Sequence, residues 1–428
     1  MDKKKILIFP AGTEIAFEIQ NSLKYSKFVE LYGANSMPSH AEFVFKYCVT
    51  NLPFEKDPGF IDALNRVIDY YSIDYVYPAH DSACLTLTKE QAKIHAKVVT
   101  SPLETVEICR SKKKTYDFFE GVTFLPKVYH TIAEITSFPV FIKPSVGQGS
   151  LNARIIDSAE ELKRAINDGN EYVVTEYLPG DEYTVDCFTD RYGKLRACHL
   201  RLRERIKAGI SVRSSLLLTD NTILKIAEEI NSKLVFNGAW FFQVKKNSTG
   251  EYRLMEISPR IPGTMGVSRN LGINYPLLTL FNIWGIDVDI IDNGSEITLD
   301  RAFISRYRTN VKYNKVYMDF DDTLYIHDKV NIRMISFLYQ CANQSIPVIL
   351  ITKHSKDIHE SLKKLKISEE LFFDIIQLEQ MEDKCRYIKG KDSILIDDSF
   401  AERKRVRERL GIPVFDIDMV ESLIDWRM

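Results

Sequence analysis

The sequence reads as an α/β protein assembled from three parts, and three observations carry that reading. Short β-prone apolar runs alternate with helical patterns over residues 4–100, the signature of a parallel sheet with helices packed on it. From about Leu125 and Pro126 the chain starts afresh with strand, helix and strand. After Arg306, Tyr307 and Arg308 the charge pattern resets, and a new strand starts at Lys315.

In the first part, 5–9 reads as a strand, Pro10 to Thr13 as a turn, and 14–24 as the helix that the turn feeds. Residues 28–32 form a second strand. Residues 58–71 form a helix, because Ile61, Leu64, Val67, Ile68 and Tyr71 recur at helical spacing. Residues 74–78 are the next strand, and Val98 and Val99 close the unit. Ala11-Gly12-Thr13 holds a single glycine, far short of Gly-x-Gly-x-x-Gly, and is read as packing. Residues 103–119 read as one helix carrying Lys112, Lys113 and Lys114, a triplet whose plain reading is a solvated face.

The second part is organised around 138–150, Phe-Pro-Val-Phe-Ile-Lys-Pro-Ser-Val-Gly-Gln-Gly-Ser. An apolar strand delivers Lys143, and Gly147, Gln148, Gly149 and Ser150 then let backbone N–H groups curl toward an anion. A cation at a strand end beside a donor-rich loop handles phosphate, although the Walker A spacing is absent. Taken alone, the stretch also reads as a Gly-rich hairpin with an exposed lysine. Residues 160–166 are helical, and 172–176 form a strand ending in Glu-Tyr-Leu-Pro-Gly-Asp-Glu. Alternation over 183–189 and 194–202, about Asp190-Arg191-Tyr192-Gly193, marks a hairpin. Arg201, Arg203, Arg205 and Lys207 sit at every second position, so a strand puts these cations on one face. Either anions lie among them or the strand is a solvated edge that uses charge against aggregation. Asn247-Ser248-Thr249-Gly250 marks a second hairpin, and an even loop places Gln243 and Glu256 on one face with Ser258 two residues on. Oxygen donors converging in this way suit Mg²⁺ shared with substrate phosphates. Arg260, just beyond, can reach the same phosphate oxygens.

The third part opens with a strand over 315–319 that runs into Asp319-Phe320-Asp321-Asp322-Thr323. Carboxylates at i and i+2 on a strand's C-terminal end are poised over one site, where one attacks phosphorus and the other protonates the leaving oxygen. Alone, the motif is also an acidic turn. Val348 to Thr352 is a strand ending in a hydroxyl, Lys384 precedes a helical stretch, and Ser393 to Asp398 is a strand ending in two carboxylates. Asp319 and Thr352 are 33 positions apart, and Thr352 and Lys384 are 32 apart. One helix and its strand fill each interval, leaving no room for a cap domain.

Composition bounds the function. A net charge of −2 over 428 residues provides no global basic field for nucleic acid or anionic membrane. No apolar run approaches the roughly 18 residues of a spanning helix. The basic N-terminus precedes an apolar stretch too short for a signal peptide. Seven cysteines without Cys-x-x-Cys fit reduced thiols and a cytoplasmic location, and the eight histidines form no metal-ligand spacing.

Phe141-Ile142-Lys143-Pro144 with its glycine loop, Glu176 to Glu182, and Met255-Glu256-Ile257-Ser258-Pro259-Arg260 together resemble the ATP-grasp superfamily, especially the branch like the large chain of carbamoyl-phosphate synthetase. The resemblance spans roughly residues 1–310. It implies a Rossmann-like pre-ATP-grasp domain over 1–108 and an ATP-grasp domain of two α+β subdomains over 109–312. It further implies that Lys143 and Lys112, with Gly147, Gly149 and Ser150, meet the phosphates of ATP. Glu176, Tyr177 and Leu178 would form the adenine hinge, and Glu182 would bind the ribose. Gln243 and Glu256 would hold Mg²⁺, with Arg260 on the transferred phosphoryl group. Ser258 departs from the pattern: relatives usually place a metal-binding Asn there, and a hydroxyl reaches the ion only through water or weakens the second Mg²⁺.

Residues 313–428 resemble the haloacid-dehalogenase-like (HAD) phosphohydrolases, which implies a capless Rossmannoid domain with an open site. Asp319 and Asp321 would be its catalytic pair, Thr352 its phosphate-binding hydroxyl and Lys384 its lysine, with Asp319, Asp321, Asp397 and Asp398 around Mg²⁺. The expected protein is an ATP- and Mg²⁺-dependent carboxylate–amine or carboxylate–thiol ligase acting through an acyl phosphate, fused to a Mg²⁺-dependent phosphatase. Its alternatives are a ligase with a regulatory or docking HAD-like domain, a kinase-like enzyme that never joins an amine, and a nucleotide sensor with neither activity. The expected partners are a small carboxylate, an amine and a phosphoester, with no nucleic acid and no membrane. A homodimer is left open.

Overall fold

Ile6, Leu7 and Ile8 are all fully buried, as a strand covered on both faces requires. They lie in β1 (Lys4–Phe9), the centre of a parallel sheet with β2 (Val29–Ala34), β3 (Tyr47–Val49), β4 (Tyr75–Pro78) and β5 (Lys97–Val98), ordered β3-β2-β1-β4-β5. The computed structural model describes residues 3–147, 149, 151–167, 169–327 and 329–427. They divide into two compact units, Met1–Phe303 and Ile304–Met428.

In the first unit, α1 (Glu14–Leu23) starts at Thr13, whose hydroxyl accepts the Ala16 N–H, and α2 (Phe60–Tyr71) is the expected amphipathic helix. Neither β3 nor α3 (Asp81–Lys89) was apparent from the sequence. The first has three residues, and the second carries no clean apolar stripe, with Thr88 buried and bonded back to the Cys84 carbonyl. The helix expected over 103–119 is two helices, α4 (Leu103–Arg110) and α5 (Lys112–Phe118). Ser111 between them is extended and caps α5, its hydroxyl accepting the Lys114 N–H and meeting the Ser145 hydroxyl at 2.9 Å. That break makes Lys112 the first residue of α5.

A four-stranded sheet follows, from β6 (Val128–Tyr129), β7 (Val140–Pro144), β8 (Arg154–Ile156) and β9 (Tyr172–Glu176), ordered β6-β9-β7-β8, with α6 (Ala159–Ala165) before β9. Between β6 and β7 the expected helix is only the 3₁₀ turn Ile132–Glu134. A six-stranded sheet completes the unit. Its strands are β10 (Glu182–Thr189), β11 (Leu195–Lys207), β12 (Ile210–Leu217), β13 (Gly238–Lys246), β14 (Tyr252–Ser258) and β15 (Thr298–Asp300), ordered β14-β13-β10-β11-β12-β15. Both expected hairpins form, β10 with β11 and β13 with β14. The second closes on an odd loop between Lys246 and Tyr252, however, and a register shift beside Gln243 is what pairs Gln243 with Glu256. One face buries α7 (Asn221–Lys233) through Ile223, Ile226 and Ile230. Elsewhere, Ile6 and Ile8 of β1 share one core with Phe188 of β10 and with Tyr275 and Leu280 of α9 (Tyr275–Ile283), which follows α8 (Gly266–Leu271).

The cations spaced two apart on β11 do have anions among them, and the anions are the protein's own. Arg201, fully buried, forks onto Asp186 with two 2.7 Å bonds, Arg203 meets Glu182, and Arg205 meets Asp300 at 2.8 Å. Lys207 lies over the Phe303 ring. A register shift between Arg203 and Arg205 breaks the strict period of two.

The second unit is built on β16 (Lys315–Met318). The short hairpin β17 (Tyr325–Ile326) and β18 (Lys329–Val330) comes next, then α10 (Ile332–Asn343), β19 (Val348–Thr352), α11 (Ile358–Leu365), β20 (Asp374–Gln377), β21 (Ser393–Ile396), α12 (Phe400–Leu410) and β22 (Val414–Phe415). The main strands are parallel, ordered β20-β19-β16-β21-β22. The first interval therefore holds a small hairpin as well as a helix and strand. Lys384 lies inside the 3₁₀ turn Lys384–Arg386 rather than ahead of a helix. Among the described residues, no helix is long and apolar enough to cross a membrane.

Candidate functional site

In the first unit, a cleft of about 350 Å³ gathers Lys112, Lys143, Gly147, Gly149, Glu176, Tyr177, Leu178, Glu182, Gln243 and Glu256. Ser150 lies outside the described residues. Ser258 and Arg260 line a smaller recess beside Glu256. Arg260 also lines a second chamber of about 260 Å³, which shares Gln243, Glu256 and Arg203 with the cleft.

Lys143 stands near the end of β7, only 7% exposed. It donates to the Tyr116 hydroxyl at 2.6 Å and to the Met255 carbonyl at 3.0 Å, with its ammonium over the Tyr116 ring. Burial, then the charge of Lys112, push its pKa down to about 7 against the pull of Glu256 and Glu182. Lys112 Nζ is 3.9 Å from the Glu256 carboxylate, and its backbone N–H is anchored on the Ser145 carbonyl. Tyr116 was not among the residues singled out in the sequence. Its only signal there is an aromatic one turn into a lysine-headed helix, and a buried tyrosine hydroxyl needs partners.

The Glu176 carboxylate accepts the Lys127 N–H at 2.9 Å and lies 3.7 Å from Arg253, so it is already engaged where β9 leaves the sheet. Leu178, nearly buried, forms cleft wall. Arg203 bridges the polar side: Nη1 donates to Glu182 and, at 2.8 Å, to Gln243 Oε1, while Nη2 donates to the Gly209 carbonyl at 2.8 Å. Within the sequence Arg203 was one member of a stripe, and only the β11 pairing singles it out.

Ser258 and Arg260 both converge on Asp81, the first residue of α3. Arg260 donates through Nε at 2.7 Å and Nη2 at 2.6 Å, and the Ser258 hydroxyl at 2.9 Å. Burial works against the Asp81 charge, but Arg260, Arg110 and the Ser258 hydroxyl hold its carboxyl well below the usual range. The Ser258 hydroxyl is thus occupied by a carboxylate. Asp81 was missed because α3 was missed.

In the second unit, one oxygen each from Asp319, Asp397 and Asp398 lie within 4.8 Å of one another. Lys384, its side chain 2% exposed, sits 2.9 Å from Asp319 and 2.7 Å from Asp397. Burial pushes the Asp319 carboxyl up to about 6, opposed by Lys384 and reinforced by Asp397. Three carboxylates against one lysine leave excess negative charge in a partly buried site, a donor set that suits a hard divalent cation. The buried Thr352 hydroxyl, at the end of β19, has no hydrogen-bond partner among the described residues. Asp321 stands apart from the trio: its carboxylate pairs with His354 Nδ1 at 2.9 Å, and His354 Nε2 meets Ser361 Oγ at 2.8 Å.

Residues 168–299 match the family model described as ATP-grasp in the biosynthetic pathway with Ter operon. The carbamoyl phosphate synthase large chain of Helicobacter pylori is 24% identical over 217 residues, which are 44% of this chain and 20% of that protein. The chain thus spans about a fifth of that relative's length. The biotin carboxylase domain dimer of Hydrogenobacter thermophilus 2-oxoglutarate carboxylase, solved with MgADP, ADP and bicarbonate, superposes with a TM-score of 0.56 at 15% identity, over 68% of this chain and 72% of that one. An L-amino acid ligase from Bacillus licheniformis superposes with a TM-score of 0.52 at 19% identity, over 66% of this chain and 74% of that one. These likenesses support a place in the ATP-grasp superfamily and show a fold shared with its enzymes.

Proposed function

We propose that this chain, ATP-grasp in its first unit, is an ATP- and Mg²⁺-dependent ligase that activates a carboxylate as an acyl phosphate and joins it to an amine or a thiol. The observation that carries the reading is one cleft that brings cations and oxygen donors together with apolar wall. Lys112, Lys143, Gln243 and Glu256 line it together with the apolar Leu178 and Phe141. On this reading Lys143 and Lys112 neutralise phosphate charge, Gln243 and Glu256 hold Mg²⁺, and Glu182 takes the ribose. Arg260, released from Asp81, meets the transferred phosphoryl group. Bound Mg²⁺ would spread the charge that builds on the phosphoryl oxygens. Glu176 to Leu178 line the adenine end, and Gly147 and Gly149, with Ser150, cover the phosphates. The domains on this reading are 1–108, 109–312 and 313–428. ADP formation by the full chain, measured with and without a pool of carboxylates and amines, tests it. Turnover that ignores the acid favours a sensor or kinase-like role.

A second activity is favoured by the Asp319, Asp397 and Asp398 cluster and the partnerless Thr352 hydroxyl. We read the second unit as a HAD-like Mg²⁺-dependent phosphohydrolase. Asp319 attacks phosphorus, Asp321 serves as acid and base, Thr352 and Lys384 hold the phosphate, and the carboxylates hold the ion. Hydrolysis of a phosphoester panel with Mg²⁺ tests this, and a wholly inert panel points to a regulatory or docking domain.

A further inference from the structure

The second chamber, which shares Gln243 and Glu256 with the cleft, holds one guanidinium group that no carboxylate pairs with among the described residues. Arg203, Arg260 and Arg301 line it, with Glu14, Asp81 and Glu256. Two of the three guanidinium groups are matched: Arg260 is held by Asp81, and Arg203 by Glu182. Arg301 is not. Its backbone N–H is fixed on the Val212 carbonyl at 2.7 Å, just past β15, yet its side chain makes no ion pair or hydrogen bond to a described residue, and Nη1 is buried without an acceptor. Arg301 feels the charges of Glu18 and Glu14 without an ion pair to either, and Glu18 is engaged by Arg269 at 2.8 Å. Arg203 Nε is likewise buried without an acceptor. A guanidinium removed from water is costly unless an anion meets it, and its planar fork matches a carboxylate or phosphate group. The two groups enter from different elements, Arg203 from β11 beside Gln243 and Arg301 after β15 beside Gly263.

We propose that the acid activated by this chain carries a second anionic group, which Arg301 binds while the reacting carboxylate lies at the Arg203 and Glu256 end of the chamber. The proposal rests on the ligase reading and narrows its substrate to compact dianions. A chamber of about 260 Å³ is below the usual range for drug-sized ligands and suits a small metabolite. Arg301 is then a specificity residue, since it meets the part of the substrate that does not react.

The test pairs acids of equal length on the full-length protein with MgATP, using hydroxylamine as the trapping amine and reading both ADP and hydroxamate. Succinate is set against butyrate, glutarate against valerate, and glutamate against glutamine. The dianion of at least one pair should be preferred by on the order of tenfold or more in kcat/KM, through a lower KM. Arg301→Gln should erase that preference, and Arg301→Lys should keep part of it, which separates lost recognition from lost folding. A parallel titration of wild-type protein with MgADP separates the two readings. If MgADP does not bind, the ligase reading falls and takes the proposal with it. If MgADP binds but the members of each pair respond equally, or none responds, the dianion proposal alone is overturned.

Discussion

Asp81 clasps the guanidinium of Arg260 through two hydrogen bonds of 2.7 and 2.6 Å, across 179 positions of sequence. The same carboxylate accepts the Ser258 hydroxyl, so a residue from the first sheet's side of the unit orients two residues at the end of β14.

Removing that carboxylate strands both donors. The Asp81 and Arg260 side chains are 22% and 14% exposed, so the penalty is smaller than for a fully buried pair, on the order of 2 kcal/mol. Asp81→Ala should lower the urea midpoint with the slope unchanged. A midpoint equal to wild type would show that the clasp adds nothing to stability.

Lys143 sets a pH dependence. Burial and Lys112 hold its folded value at about 7, below the roughly 10.4 of an unfolded lysine. Between those values the folded protein has shed a proton that the unfolded chain keeps, so this group's contribution to stability rises with pH across that window, and its cost is fully present below about pH 7. An entering phosphate favours the ammonium and raises the value again. Binding of MgADP near pH 8 should therefore take up about one proton, read by calorimetry in buffers of different ionisation enthalpy. Lys143→Met should abolish the uptake, and equal uptake in that variant would assign it to another group.

Catalysis should depend on both ends of the cationic and metal-binding wall. Lys143→Ala and Glu256→Ala should each slow ADP formation on the order of a hundredfold or more, since each removes a group that meets charge in the transition state. Near-normal rates in both variants would mean that the reaction takes place elsewhere.

In the second unit, Lys384 is the counter-charge for Asp319 and Asp397. Lys384→Met should cost about 3–5 kcal/mol by leaving buried carboxylates unpaired, and millimolar Mg²⁺ should return part of it. Asp319→Asn should abolish phosphoester hydrolysis while ADP formation continues. Hydrolysis at the wild-type rate in Asp319→Asn would remove it from the role of nucleophile.

Local geometry made part of this site readable. The Asn247 to Gly250 turn marks the β13–β14 hairpin, and the apolar run before Lys143 fixes β7. That turn sets Val244 opposite Leu254, and only a register shift beside Gln243 then brings Gln243 opposite Glu256. What stayed hidden depends on distant pairing. Asp81 lies on a helix without an apolar stripe, and its partners follow 177 and 179 positions later. Arg203 differs from Arg205 only through the β11 register shift and the proximity of Glu182. The break at Ser111 was masked because 103–119 keeps helical composition throughout, and the hydroxyl that stops the helix is bonded to Ser145. Asp321 reads as one half of a pair with Asp319, yet the partner it meets is His354.

The core shared by β1, β10 and α9 limits how modular the chain can be. Ile6 and Ile8 complete an apolar volume whose other half is Phe188, Tyr275 and Leu280, so the first sheet is not a cassette. Transplanting the corresponding segment of a relative, with every cleft residue preserved, should yield insoluble protein unless the residues facing Phe188 and Tyr275 are transplanted as well. Recombination among such proteins should tolerate crossovers at a boundary that keeps this core whole, and reject those near residue 108 that divide it.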